Sequence, residues 1–296
     1  MFLSIIIPAY NEEKRLPATL KKVRDYLNRQ MYTRQGGGQA YEVYVVDDGS
    51  RDQTAGVVSK IIDGWPEFKL IGYQPNRGKG YAVKTGMLAA KGEWRLLMDA
   101  DNSTEISEIE KLLIYACTRQ HLQRYRPYDP PSGGSGPALS AKNPAEGGNH
   151  AFWPARATLE DAGSLQYYEV IIGSRYLKPD SIKIKQPLGR RVVSRLGNIL
   201  VRILLGIKSA DTQCGFKLFS ARAVQEIFPK QTIDRWGFDM EILAIAIKKG
   251  YKIKEVPVDW ADDEKSQRKL GIFQGESWKT LKELFAIKWN LIKGKY

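Results

Sequence analysis

The sequence predicts an α/β fold in which a mostly parallel central sheet is covered by helices on both faces. Two observations carry this. Short strands, apolar nearly throughout, alternate four times with helical segments between Leu3 and His121, the pattern of a parallel sheet buried on both sides. Several of these strands also end abruptly in charged or turn-forming residues, and in such sheets ligands sit beyond the carboxyl ends of the strands.

The elements follow in order. Leu3 to Pro8 is a short β-branched run that stops at the turn-like Tyr10-Asn11-Glu12, as a buried strand entering a loop does. Lys14 to Gln30 places Leu16, Leu20, Val23 and Leu27 on one helical face. Glu42 to Val46 is a second strand and ends in Asp47-Asp48-Gly49-Ser50. Thr54 to Ile62 is helical, and Lys69 to Gly72 is a third strand. Asn76 to Gly80 is a basic, glycine-containing loop before a helix from Tyr81 to Ala90. Glu93 to Met98 is a fourth strand ending in Asp99-Ala100-Asp101, and a helix follows from about Ile106 to His121.

Residues 123–163 break the pattern with closely spaced prolines and glycines. The segment reads as a long, irregular, mobile insertion. Structure resumes with a strand at Tyr168 to Ser174, a helix at Arg190 to Leu205, a short strand at Gly215 to Phe219, a helix at Asp239 to Lys249 and a strand at Lys252 to Val258. A last amphipathic, basic helix begins at Glu276 and occupies 276–296. No internal repeat is visible, so the expected organisation is one domain over 1–296 carrying the insertion.

The chain has 296 residues, 43% hydrophobic and 27% charged, with a formal net charge of +13. An excess of that size favours anionic partners without choosing among nucleotides, nucleic acid and anionic membranes. Two cysteines far apart, Cys117 and Cys214, argue against a disulfide framework and fit a reducing compartment. Two histidines, His121 and His150, exclude a Cys/His zinc cluster, so any metal must be held by oxygen. No signal peptide is expected at the N-terminus, and no stretch reaches the roughly 20 apolar residues of a spanning helix. A cytoplasmic protein, peripheral at most on the cytoplasmic membrane face, is the expectation.

Asp99 and Asp101 end a strand and are separated by one small residue. A strand ending between two carboxylates can turn both toward one Mg²⁺ or Mn²⁺, ions that take oxygen ligands and often share them with substrate phosphates. The alternative is a pair of solvated loop acids or a helix cap. At the second strand's end, Asp48 could accept bonds from a ribose or a base N–H, while Ser50 or Asp52 could cap the next helix. The Asn76-Arg77-Gly78-Lys79-Gly80 loop offers cations, close backbone approach and a helix start to a phosphate.

Pro8-Ala9-Tyr10-Asn11-Glu12, Val46-Asp47-Asp48-Gly49-Ser50, Asn76-Arg77-Gly78-Lys79-Gly80 and Asp99-Ala100-Asp101, in this order, resemble glycosyltransferase family 2 with the GT-A fold, a Rossmann-like mostly parallel sheet. Ile172-Gly173-Ser174-Arg175-Tyr176, the run from Asp211 to Phe219 and Arg235-Trp236-Gly237-Phe238-Asp239-Met240-Glu241 are similar to its dolichyl-phosphate (polyprenyl-phosphate) β-glucosyltransferase branch. The resemblance implies an inverting transferase that uses a nucleotide diphosphate-sugar, UDP-glucose first, with Mg²⁺ or Mn²⁺, and a lipid phosphate acceptor. It implies that Pro8, Tyr10, Glu12, Asp48, Lys79 and Asp99 bind the donor and that Asp99 and Asp101 sit at the metal, Asp101 more directly. Ser103 stands where some relatives carry a longer polar ligand. Asp211, Asp239 and Glu241 become candidate catalytic carboxylates facing the sugar or acceptor. Gln213 joins them on the acceptor side, and Arg175 becomes the candidate phosphate ligand.

A lipid phosphate is largely ionised near neutral pH, its second pKa being about 6, so orientation matters more than a general base. A sugar hydroxyl acceptor would instead need a base such as Asp239. Two amphipathic helices bear on the lipid. Val192, Leu196, Ile199 and Ile203 keep helical spacing beside Arg191, Arg195 and Arg202. Trp278, Leu281, Phe285, Trp289 and Ile292 form a stripe beside Lys279, Lys282, Lys288 and Lys293. Such helices bind anionic membranes or pack their stripe on a core. The competing functions are a transferase of the same fold with another donor (GDP-mannose, UDP-N-acetylglucosamine) or a soluble acceptor, a non-catalytic sugar-nucleotide binder, and a nucleic-acid binder. The acidic strand ends oppose the last, since carboxylates repel a phosphate backbone, and no nucleic-acid partner is expected.

Overall fold

The computed structural model describes residues 1–29, 41–116, 166–178, 200–261 and 276–296. The expected insertion at 123–163 and most of the expected helix from Arg190 lie outside these residues; of the latter, residues 200–205 are helical.

Seven strands form one sheet: β1 (Leu3–Ala9), β2 (Tyr41–Asp47), β3 (Phe68–Gly72), β4 (Trp94–Met98), β5 (Val170–Ser174), β6 (Phe216–Ser220) and β7 (Ile253–Pro257). Their order is β3-β2-β1-β4-β6-β5-β7. The first four are mutually parallel, β6 runs antiparallel to both neighbours, and β5 and β7 are parallel. The mostly parallel sheet is therefore as expected, with one reversed strand inside it. Helices α1 (Leu16–Arg29), α2 (Thr54–Ile62), α3 (Lys79–Ala89), α4 (Ile109–Ala116), α5 (Ala221–Ile227), α6 (Phe238–Lys248) and α7 (Glu276–Ile292) surround it.

The strands are apolar at most positions because both faces are covered, and charged residues within them such as Glu42, Arg95 and Lys217 have internal hydrogen-bond partners. Alternate residues of β1 and β2 divide between two cores. Ile5, Ile7, Val43 and Val45 join α1 and α4 on one side. Ile6, Tyr44 and Val46 join α3, α5, α6 and α7 on the other. This is the period-two alternation of strand side chains with apolar residues on each face. After β3 the chain crosses β1 to place β4 on its far side. That reversal opens a crevice at the carboxyl ends of β1, β2 and β4, the usual place for a ligand in such sheets.

Most element boundaries shift by one or two residues from expectation, and two of these shifts bear on the site. Helix α3 starts at Lys79 instead of Tyr81, because Gly78 at φ 114° turns the chain directly into it. A Cβ there would press on the Asp234 carbonyl, so the close approach requires glycine. The helix after β4 opens with a 3₁₀ turn at Ile106–Glu108 before α4, a common tightening at helix starts.

Candidate active site

A cleft of about 450 Å³ lies at those strand ends. Pro8, Tyr10 and Glu12 reach it from the end of β1, Asp48 from β2, Lys79 from the first residue of α3, and Asp99 and Asp101 from the end of β4. Four separate stretches of sequence thus meet in one crevice. Arg15, Asn76, Arg235 and Trp236 complete its wall; none of these was assigned a role from sequence.

The β1 loop is stitched to the β2 loop. The Asn11 N–H donates to Ser50 Oγ at 2.9 Å and the Glu12 N–H to Thr54 Oγ1 at 2.8 Å. Arg15 holds the Glu12 carboxylate at 2.6 and 2.7 Å. Burial pushes the Glu12 carboxyl above its usual value, and Arg15 offsets this only in part.

Asp48 is 3% exposed and accepts from Asn76 Nδ2 at 2.7 Å, the Arg77 N–H at 2.8 Å, the Gly78 N–H at 2.9 Å and Tyr73 Oη at 2.9 Å. Its carboxylate organises the 73–78 loop, so it shapes the cleft more than it offers lone pairs to a ligand.

Lys79 Nζ lies 2.6 Å from Asp99 Oδ1 and 5.6 Å from the Trp236 ring centroid. Gly215 sits against the other side of Asp99, and a Cβ on that glycine would overlap the Asp99 carboxylate. Asp101 Oδ1 accepts the Ser103 N–H at 3.0 Å, so the tie between them uses the Ser103 backbone. Among the described residues no three His, Cys, Asp or Glu side chains converge on one point. Of the carboxylates lining the cleft, Glu12 is held by Arg15 and Asp48 by the 73–78 loop, and Asp99 and Asp101 are the pair at one strand end. Two carboxylates with phosphate oxygens completing the shell are a fitting donor set for Mg²⁺ or Mn²⁺.

The remaining sequence candidates stand behind the cleft wall. Asp239 is 4% exposed and is held by Lys217 Nζ at 2.5 Å, a lysine that is fully buried and also donates to the Cys214 carbonyl at 2.5 Å. Burial pushes the Asp239 carboxyl up; the charges of Lys217 and Lys79 offset part of this, and Asp99 adds to it. Asp239 thus feels the Lys79–Asp99 pair without lining the cleft.

Asp211, Arg175 and Gln213 form a second group. Asp211 is fully buried, takes Arg175 Nε at 2.7 Å and Nη2 at 2.9 Å, and accepts the Gln213 N–H at 3.3 Å. Burial alone would raise the Asp211 carboxyl, but the guanidinium outweighs it and holds the group below its usual range. Arg175 also sits 5.5 Å from the Trp260 ring and 5.4 Å from that of Tyr176. Its charge is matched by Asp211, so the expected phosphate ligand serves here as half of a buried pair.

Glu241 departs most from expectation. It is fully buried in α6 and accepts the Thr232 N–H at 3.0 Å, the Ile233 N–H at 2.8 Å, Thr232 Oγ1 at 2.6 Å and Tyr296 Oη at 2.6 Å. It faces away from the crevice and braces the segment that carries Arg235 and Trp236. That segment is further fixed to α3 by Gln231 Nε2 on the Gly80 carbonyl at 2.9 Å and by the Tyr81 N–H on the Asp234 carbonyl at 3.1 Å. Sequence spacing placed Glu241 beside Asp239. Two helical positions apart, the two side chains point in directions about 200° apart, toward nearly opposite sides of the helix.

The family model for glycosyl transferase family 2 matches residues 4–134, which include every cleft residue from β1 to Asp101. The chain belongs to glycosyltransferase family 2, and it is a glycosyltransferase with the GT-A fold. Its relatives narrow the branch. A dolichyl-phosphate beta-glucosyltransferase of Trichomonas vaginalis is 33% identical over 279 residues, 91% of this chain and 69% of that protein. The Saccharomyces cerevisiae dolichyl-phosphate beta-glucosyltransferase is 32% identical over 303 residues, 100% of this chain and 77% of that protein. The Homo sapiens enzyme of the same name is 32% identical, covering 90% and 69%. In structure, the chain is similar to glucosyl-3-phosphoglycerate synthase from Mycobacterium tuberculosis in complex with uridine-diphosphate, with a TM-score of 0.57 at 14% identity over 97% of this chain and 80% of that one. The same synthase solved with Mn²⁺, uridine-diphosphate-glucose and phosphoglyceric acid gives 0.57 at 14% identity, over 97% and 79%. These two likenesses speak to the fold.

Proposed function

We propose that this glycosyltransferase moves glucose from UDP-glucose to a polyprenyl or dolichyl phosphate with inversion at the anomeric carbon. The observation that carries the proposal is the meeting of Pro8, Tyr10, Glu12, Asp48, Lys79, Asp99 and Asp101 in one cleft at the carboxyl ends of parallel strands. The sugar and the acceptor class are supported by the names of the relatives that match nearly the whole chain.

In this reading the nucleoside lies over Pro8 and Tyr10, against the loop that Asp48 organises. Lys79 and the start of α3 face the diphosphate, where a helix N-terminus and a cation favour negative charge. Asp99 and Asp101 would hold Mg²⁺ or Mn²⁺, and a bound divalent cation neutralises charge developing on a leaving diphosphate. Lys217 and Asp239 act from behind as a positioning pair for Lys79 and Asp99. Asp211 and Arg175 fix the loop that leads to Gly215 and so to the back of Asp99. Arg235 and Trp236, both exposed on the cleft rim, stand where an acceptor phosphate and its lipid would enter. An ionised phosphate oxygen attacks without a general base once it is oriented, so no carboxylate needs to take up a proton.

UDP titration by calorimetry tests the donor site. Wild-type protein should bind UDP with Mn²⁺ present and more weakly with chelator. Asp101→Asn should lose the metal dependence while keeping the fold by circular dichroism. Metal-enhanced binding that survives in Asp101→Asn would remove Asp101 from the metal site.

A further inference from the structure

Helix α7 has two apolar faces, and one of them is uncovered. At about 100° per residue, Leu284, Ile287 and Leu291 form a stripe that packs into the core shared with α3, α5 and α6. Glu283 lies toward the same side and accepts the Gly237 N–H at 2.8 Å, next to Arg235 and Trp236 on the cleft rim. On the opposite side Phe285, Trp289 and Ile292 fall within about 60° of one another by the same helical geometry. They are 55%, 57% and 68% exposed.

Lysines border this outer face. Lys282 and Lys293 lie along one edge and Lys288 along the other; Lys282 and Lys293 are exposed, and Lys293 Nζ sits 4.6 Å over the Trp289 ring. Lys279 and Lys295 extend the charge at the two ends. Between Leu281 and Tyr296 the sequence has one carboxylate, Glu283, and it is turned inward. No helix among the described residues is long and apolar enough to cross a membrane.

We infer that the outer face of α7 docks the protein on an anionic lipid bilayer. Phe285, Trp289 and Ile292 enter the interfacial layer, and the surrounding lysines meet the headgroups. An amphipathic helix with aromatic residues on one face and lysines beside it has this chemistry. A second copy of the chain is a poor occupant, because two lysine-bordered faces would repel. The inference rests on α7 alone; its link to the proposed reaction is that Glu283 ties this helix to the cleft rim, which would set the cleft mouth near the lipid surface.

The test is flotation of the full chain with vesicles of phosphatidylcholine alone and with phosphatidylserine added, free of donor and of polyprenyl phosphate, so that its outcome is independent of the transfer reaction. Binding should require the anionic lipid and weaken with salt. Phe285→Ser/Trp289→Ser should lower partitioning by about tenfold or more, and each of Lys282→Ala and Lys293→Ala by about fivefold. UDP binding in solution should be unchanged in these variants. Partitioning equal to wild type in both sets would overturn the inference. So would a wild-type dimer that the aromatic variant dissociates, since the face would then belong to a second copy. If the aromatic variant fails to fold, the lysine variants decide on the same readout.

Discussion

Gly215→Ala changes no charge, no hydrogen-bonding side chain and no residue in contact with solvent at the cleft mouth, yet it should disable the enzyme. An added Cβ would occupy the space of the Asp99 carboxylate, so Asp99 must rotate away from Lys79, now 2.6 Å from it. The cost in stability is modest. Overpacking of one methyl costs about 1–3 kcal/mol, and the Lys79–Asp99 pair, with both side chains partly exposed, adds about 1 kcal/mol at most. The cost in rate should be larger, because displacing a group at the reacting centre by about 1 Å can cost about 100-fold, or roughly 2.7 kcal/mol of transition-state stabilisation. Urea unfolding and kcat/KM with a saturating acceptor measure the two separately. The decisive control is the double variant. If Gly215→Ala acts through Asp99, then adding it to Asp99→Ala should cost little more, whereas independent sites would add. Near-wild-type turnover in Gly215→Ala, or full additivity with Asp99→Ala, would show that Gly215 does not act by positioning Asp99.

Two further perturbations separate architecture from chemistry. The Asp211 carboxyl is held below its usual value near 3.8 by Arg175, so the pair's contribution is fully present above that value and is lost as pH falls through the lower, folded-state value. Asp211→Asn should therefore cost about 3–5 kcal/mol at neutral pH by leaving Arg175 buried without its partner. It should also flatten the fall in stability below about pH 4, and a wild-type-like acid unfolding curve would show that the pair is not ionised as described. Glu241→Gln should lower stability by about 1–3 kcal/mol through the weakened brace on Thr232, Ile233 and Tyr296, with transfer retained in the folded fraction. A fully stable but inactive Glu241→Gln protein would return Glu241 to the reaction.

The parallel half of the sheet was legible because its strands are apolar nearly throughout and end in residues that make poor strand, as at Asp47-Asp48-Gly49 and Asp99-Ala100-Asp101. The cleft was legible for the same reason, since strand ends in such a sheet converge. Residues whose role comes from tertiary packing were not. Lys217 alternates with Phe216 and Leu218 along β6, and nothing in that pattern shows that it is buried against Asp239, 22 positions on. Arg175 and Glu241 stood in motifs that suggested contact with a ligand, and the structure matches each with an internal partner. The last helix was open between core and membrane because its two apolar faces overlap in a one-dimensional pattern. Leu284 and Ile287 take the core, and the stripe picked out by spacing supplies Phe285, Trp289 and Ile292 to the outside.

The proposed transfer is best checked by offering UDP-glucose, GDP-mannose and UDP-N-acetylglucosamine in turn, with Mn²⁺ or Mg²⁺ and a short polyprenyl phosphate, and measuring lipid-linked sugar. UDP-glucose should give β-linked glucosyl lipid, and chelator should abolish it. Slow metal-dependent hydrolysis of the donor with no lipid product, or lipid product from a different donor, would contradict the proposed transfer.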